Sequence, residues 1–293
     1  MAELRPNFFI IGAPKAGTTS LYYYLSRHPE VLMSRIKEPN YFSYRELSNQ
    51  QLYYRDDSVQ DQQTYLSLFN TTTPDQVKAV GEASVSYLFY PDTANQIKQF
   101  NPDARIIIML RNPFDRAWSH YLMDYKLNYV RDSFDDITLK RVNGHRNNQH
   151  FQQYIQLSLY HRQLQNYLNV FDRKQIFIGL YDDLKQSPQQ LFSALCTFLE
   201  IEPVALPESS AYNSAEVPRN AFIKSVYASD SIRRGLKKLF GHQQSKKIKS
   251  LLFKKPELLP LPDTRQQLTQ LFNDDIRKTE SLTGLNLSAW YAT

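Results

Sequence analysis

A chain of 293 residues with 42% hydrophobic and 13% aromatic side chains holds enough apolar surface for one large α/β domain, which excludes a wholly disordered protein. Its single cysteine, Cys196, excludes an internal disulfide framework and fits a reducing compartment. The formal charge of +6 is unevenly placed: residues 231–255 carry nine Lys and Arg and no acid, leaving the rest of the chain at −3, so the basic character points to one anionic surface and not to general nucleic-acid binding.

In chain order, the first predicted element is a buried strand over 7–12, four apolar residues followed by Gly12-Ala13-Pro14. This run is too short for the core of a signal peptide, and no later stretch approaches ~18 apolar residues, so the expectation is a soluble, cytoplasmic chain. A helix follows over 18–27, with His28 before Pro29 as its C-terminal cap. Then come a short strand over 31–33, a helix over 62–69 and a strand over 78–81. Proline opens a helix over 91–100 and another over 113–129, on either side of a buried strand over 104–110. Tyr154, Leu157, Tyr160, Leu164 and Tyr167 recur at three-to-four spacing and predict one long amphipathic helix over 151–171. A strand over 175–181, a helix over 188–199 with Cys196 as a small buried hydrophobe, and a helix over 264–282 complete the pattern. Residues 231–255 mix their charges with Ile232, Leu236, Leu239, Phe240, Ile248, Leu251, Leu252 and Phe253, which fits two short amphipathic helices around Gly241-His242. Buried strands separated by helices predict a parallel sheet covered on both faces, with the ligand site at the carboxyl ends of its strands.

Candidate residues do follow strands. Gly12-Ala13-Pro14-Lys15-Ala16-Gly17-Thr18-Thr19-Ser20 runs from the first strand into a helix whose first-turn amides have no helical partner and carry the positive end of the dipole. Such a loop is an anion site, to which Thr18, Thr19 and Ser20 add hydroxyls and Lys15 a charge. A nucleotide-triphosphatase loop has Lys directly after the second glycine; here that place is taken by Thr18. Past the strand over 104–110 stands Arg111, whose guanidinium fork suits a dianionic phosphate, with Ser119 about two turns along the next helix. Pairing of Arg111 with Asp115 is the alternative.

Together these segments resemble PAPS-dependent sulfotransferases (PAPS is 3′-phosphoadenosine 5′-phosphosulfate). Residues 14–21 look like that family's 5′-phosphosulfate loop, and Arg111 with Ser119 like its 3′-phosphate site. Residues 81–123 are similar to bacterial members and to the domains that modify heparan sulfate, and residues 178–202 and 262–290 also resemble the bacterial members. The resemblance implies a single α/β domain over 1–293, a central parallel β-sheet flanked by helices and related to P-loop nucleotide kinases, with a basic helical insertion around 225–255. It implies in-line transfer of a sulfuryl group from PAPS to a hydroxyl or amine of a saccharide or other small metabolite, with 3′-phosphoadenosine 5′-phosphate (PAP) leaving and no metal required. Lys15 would stabilise the leaving group, and the amides of Ala16, Gly17, Thr18, Thr19 and Ser20 would hold the 5′-phosphate. Glu38 would be the general base, because Lys37-Glu38-Pro39-Asn40-Tyr41-Phe42 looks like the Lys-Glu-x-x-x-Phe stretch of glycan sulfotransferases. Lys37 and Glu82 are assigned to the acceptor, and Arg219, Lys254 and Lys255 to the donor. Residues 231–255 would touch an anionic surface, whether membrane, acidic glycan or carrier protein, or form a solvated insertion. One departure stands out: glycan-modifying relatives have Lys where this chain has Ala83. A nucleotide kinase or NTPase of the related fold, and a non-catalytic PAP-binding protein, are the alternatives.

Overall fold

The computed structural model describes residues 2–54, 57–71, 73–206, 217–218, 253–254 and 260–291. Its tertiary contacts divide the chain into two compact units. The first comprises Met1–Asn112, Leu159–Tyr212 and Asp274–Ala292, the second Pro113–Ser158, Asn213–Asn273 and Thr293.

The first unit is built on a five-stranded parallel sheet. Its strands are β2 (Phe8–Gly12), β3 (Val31–Met33), β5 (Ala79–Ala83), β6 (Arg105–Leu110) and β7 (Ile176–Leu180), in the spatial order β3-β5-β2-β6-β7. Every residue of β2 and β5, and residues 106–110 of β6, are buried, as central strands covered on both faces require; the runs in β2 and β6 are apolar, while β5 includes Glu82. A two-residue antiparallel pair, β1 (Ala2–Glu3) with β4 (Asn70–Thr71), stands apart from it. The helices of this unit are α1 (Thr18–Leu25), α2 (Tyr44–Gln50), α3 (Gln62–Ser67), α4 (Asp92–Phe100), α8 (Tyr160–Leu168), α9 (Tyr181–Gln186) and α10 (Pro188–Leu199). α1 packs on β2, β3 and β5, while α9 and α10 pack on β7. From β2 the chain goes to the edge strand β3, returns through β5 beside β2, then crosses to β6 and β7 on the other side. The direction of winding therefore reverses beside β2, and the loops after β2 and β6 leave from this switch point, where ligands of such sheets bind.

The second unit contains α5 (Pro113–Lys126), α6 (Phe134–Thr138), α7 (His145–Tyr154) and the antiparallel pair β8 (Val217–Pro218) with β9 (Phe253–Lys254). The closing helix α11 (Pro262–Thr283) runs through both sets of residues.

Two sequence expectations are corrected. The long helix expected over 151–171 is broken into α7, a 3₁₀ turn (Gln156–Ser158) and α8. The break is stabilised from both ends. The wholly buried guanidinium of Arg116 takes the carbonyls of Gln153 (2.5 Å) and Tyr154 (2.8 Å), the last acceptors of α7, and also donates to Ser158 Oγ. The carboxylate of Asp275 accepts from the amides of Tyr160 (2.6 Å) and His161 (3.2 Å), the first donors of α8. The ring of His28 does not cap α1. Its Nδ1 accepts from the Glu30 amide at 3.1 Å, so Nε2 carries the proton and donates to the Glu202 carbonyl at 2.8 Å, tying the entry of β3 to the chain after α10. The helices expected around Gly241-His242 lie outside the described residues.

Candidate active site

The loop after β2 is shaped by two glycines. Gly17 has φ 91°, and a Cβ there would lie 2.4 Å from Leu184 Cδ2 and 3.1 Å from the Tyr181 ring; Gly12 has φ 150° and Leu88 Cβ 2.9 Å from the same position. Between them Lys15 adopts φ 69°, a left-handed conformation that a lysine holds only when its surroundings over-determine it. Inside the loop the amide of Ala16 bonds to Ala13 O (3.3 Å) and that of Ser20 to Gly17 O (2.9 Å). The amides of Gly17, Thr18 and Thr19 donate to no backbone carbonyl among the described residues, and the first turn of α1 holds no acidic side chain. The positive end of α1 is therefore not neutralised locally, and three donors remain for an anion.

Arg111 adjoins this loop. Its Nη1 donates to Lys15 O at 3.2 Å, and its guanidinium lies 4.6 Å from the centroid of the Tyr181 ring. Its Nε is buried and has no hydrogen-bond partner among the described residues, a donor that a bound anion would satisfy. The backbone here is braced: Tyr160 Oη donates to Arg111 O at 2.8 Å, and Asn112 Nδ2 donates to Trp290 O at 3.4 Å. Tyr181, which touches both Gly17 and Arg111, was missed in the sequence although it follows a strand just as Lys15 and Arg111 do. Lys185, also missed, holds its ammonium 5.8 Å from the centroid of the same ring.

Ser119 lies half-buried on α5 in the second unit, where His120 is buried with Nδ1 3.2 Å from Arg116 Nη1. Lys254 belongs to β9, paired with Val217, while Arg219 and Lys255 lie outside the described residues. Among the described residues no group of three or more His, Cys, Asp or Glu is placed to hold a metal ion, and no helix is long and apolar enough to cross a membrane.

Glu38 follows β3 in a loop with two left-handed residues, Glu38 itself (φ 63°) and Asn40 (φ 52°). Its carboxylate pairs with Lys37 Nζ, its side chain is 40% exposed, and its amide donates to Ala83 O at 2.9 Å. Glu82, expected to contact the acceptor, is corrected: it has no exposed surface, and its carboxylate accepts from Tyr65 Oη (2.7 Å), Tyr87 Oη (2.9 Å) and Ser84 Oγ (2.6 Å). Burial pushes its pKa up to about 7 from the ordinary 4.5; the three hydroxyls oppose the rise and the charge of Glu38 adds to it.

The sign of the linkage follows from that raised value. Below the unfolded value of about 4.5 both states are protonated and the stabilising contribution is complete; as pH rises toward about 7 the unfolded chain has released the proton that the fold retains, and stability is lost. The full swing is about 3 kcal/mol. Urea unfolding at pH 5 and pH 8 is expected to show this loss in the wild type and not in Glu82→Gln; equal losses in both would contradict it.

A parallel sheet of this strand order, with a glycine-shaped anion loop after its first central strand, places the chain among P-loop-type α/β proteins. Within that class residues 5–252 match the sulfotransferase domain, and the chain belongs to the sulfotransferase family. It is similar to human carbohydrate sulfotransferase 15 (29% identical, covering 68% of this chain and 44% of that protein). It is also similar to the bifunctional heparan sulfate N-deacetylase/N-sulfotransferase 1 of Caenorhabditis briggsae (26% identical, covering 67% and 23%). The chain thus spans less than half the length of either relative. The crystal structure of a sulfotransferase from Alicyclobacillus acidocaldarius superimposes with a TM-score of 0.72 at 31% identity, covering 98% of this chain and 99% of that one.

Proposed function

We propose that the chain transfers the sulfuryl group of PAPS to a hydroxyl or amine of a saccharide or other small metabolite and releases PAP. One observation carries most of this reading: Arg111, whose buried Nε has no partner among the described residues, donates to the carbonyl of Lys15 in the amide-lined loop, so two anion-accepting groups adjoin. A donor with separate 5′ and 3′ anionic groups makes use of both, whereas a simple nucleotide needs only the loop. The residues present fit such a substrate. The amides of Gly17, Thr18 and Thr19, with the hydroxyls of Thr18, Thr19 and Ser20, hold the 5′ group. Arg111 holds the 3′-phosphate, and the family resemblance also assigns Ser119, Arg219, Lys254 and Lys255 to the donor.

In the reaction the acceptor oxygen or nitrogen forms a bond to sulfur while the bond from sulfur to the bridging oxygen breaks. Glu38 takes the acceptor's proton, and Lys15 stabilises the charge gathering on the departing phosphate. Positioning and electrostatics supply the rate, as in phosphoryl transfer. A saccharide acceptor is favoured by the relatives' names, one a carbohydrate and one a heparan sulfate sulfotransferase. Lys37, the cation paired to Glu38, stands beside the base on the acceptor side. The working picture is a soluble, cytoplasmic enzyme of one sulfotransferase domain, with residues 231–255 facing an anionic surface.

Radiolabelled PAPS incubated with desulfated heparan sulfate and with simpler saccharides tests the reading. Label in the saccharide is the expected result; turnover of ATP with Mg²⁺ and no transfer would replace it with a kinase or NTPase. In the same preparation Arg111→Ala should weaken PAP by about 10- to 100-fold and leave 5′-AMP unaffected, since hydrogen bonds to a charged group contribute about 1.5–3 kcal/mol. An equal loss for both nucleotides would remove Arg111 from the 3′ site.

A further inference from the structure

We infer that Glu82 is a positioning residue that fixes the segment bearing Glu38, acting through three bridges to three consecutive residues and without touching the acceptor. The inference rests on the reading of Glu38 as the base.

The bridges are specific. Glu82 Oε2 accepts from Ser84 Oγ, and Ser84 Oγ accepts from the Asn40 amide at 3.0 Å. Glu82 Oε1 accepts from Tyr87 Oη, and Tyr87 Oη accepts from the Phe42 amide at 3.3 Å. Oε1 also accepts from Tyr65 Oη, and the Tyr65 ring stacks on Tyr41 at 4.4 Å between centroids and 13° between planes. Residues 40, 41 and 42 are thereby each held through one hydroxyl-bearing side chain that ends on the same carboxylate.

The chemistry of a carboxylate matters to this arrangement. An ionised carboxylate only accepts, and a hydroxyl has one proton to give. Once Ser84 and Tyr87 give theirs to Glu82, their lone pairs are the groups left to face the amides of Asn40 and Phe42. The direction of every bond is set from the buried end, so the segment is offered acceptors where it presents donors. A glutamine of the same shape carries two N–H groups, which turn at least one of these hydroxyls around.

The segment requires holding. Between β3 and the 3₁₀ turn Tyr41–Ser43 it has no regular structure, and two of its non-glycine residues, Glu38 and Asn40, are left-handed. Such residues keep their conformation only where the surroundings impose it. Asn40 Oδ1 also accepts from Ser86 Oγ at 2.8 Å, which strengthens the same anchor. The groups facing Glu82 are Tyr65 from α3, Tyr87 and Ser84 beyond β5, Tyr167 from α8 and Glu38 from the segment itself. No Lys or Arg bonds it among the described residues, and its pKa near 7 makes the anchor sensitive to pH around neutrality.

Hydrogen exchange by mass spectrometry on the full chain, combined with transfer kinetics and PAP titration, tests the assignment. Ser84→Ala and Tyr87→Phe each remove one bridge, and Glu82→Gln inverts the hub. All three are expected to raise exchange of residues 38–43 by about tenfold or more, with PAP affinity and exchange of β6 unchanged. The rate constant for transfer should fall by about tenfold with the KM for PAPS unchanged. In the wild type, exchange of 38–43, corrected for its intrinsic rate, should quicken as pH falls through 7, and in Glu82→Gln it should not. Unchanged exchange and rate in Ser84→Ala and Tyr87→Phe would overturn the inference, as would loosening spread over the whole chain; these two variants decide it even if Glu82→Gln does not fold. Glu38→Gln separates the two readings: if it transfers at the wild-type rate the base assignment fails, while the exchange data still decide the role of Glu82.

Discussion

Glu38→Gln is expected to bind PAP as tightly as the wild type and to transfer sulfuryl about a hundredfold to ten-thousandfold more slowly, the usual worth of a positioned general base. The substitution keeps the shape of the side chain and removes the site that accepts the proton. The backbone of residue 38 remains anchored to Ala83 O, and Asn40 and Phe42 keep their bonds to Ser84 and Tyr87. Lost rate with intact binding would therefore report chemistry and not collapse of the loop. Single-turnover transfer from radiolabelled PAPS, with PAP affinity measured in the same preparation, makes the comparison. A rate within a few-fold of wild type would remove Glu38 from proton transfer.

Lys15→Ala is expected to lower transfer by about a hundredfold to a thousandfold, comparable to removing one preorganised donor from a site where negative charge develops. It should also weaken PAP, because Lys15 stands in the loop that receives the 5′-phosphate. The contact between Arg111 and this loop uses the backbone carbonyl of residue 15 and survives the substitution. The lost ammonium is then the cause of the lost rate. A Lys15→Ala protein with full activity would place the leaving-group stabiliser elsewhere.

The parallel sheet was legible because its central strands are runs such as Phe8-Phe9-Ile10-Ile11 and Ile106-Ile107-Ile108-Met109-Leu110, buried on both faces and bounded by Gly or Pro. The anion loop and Arg111 were legible because each directly follows such a run. The broken helix at 155–159 was not, because its causes are distant in sequence: Arg116 takes the carbonyls that end α7, and Asp275 caps the amides that begin α8. Periodicity over a window of a few turns cannot register either. Tyr181 reads as the last residue of a strand, and only the packing of its ring against Gly17 and Arg111 gives it a place in the site. Glu82 is a stronger case. Its immediate neighbours in sequence, Gly81 and Ala83, carry no polar side chain, while the hydroxyls that define its role come from Tyr65 on α3 and from Tyr87 and Ser84 beyond the strand. An acidic residue in a strand near a predicted site reads as a ligand contact until its burial is seen.

Recognition of a nucleotide by its 3′-phosphate is the property that sets a PAPS enzyme apart from a kinase, and calorimetric titration with PAP, 5′-AMP and ATP–Mg²⁺ in parallel tests it directly. Binding of PAP well ahead of both others, weakened in Lys15→Ala and in Arg111→Ala, is the predicted result. Preference for ATP–Mg²⁺, or equal binding of PAP and 5′-AMP, would contradict it.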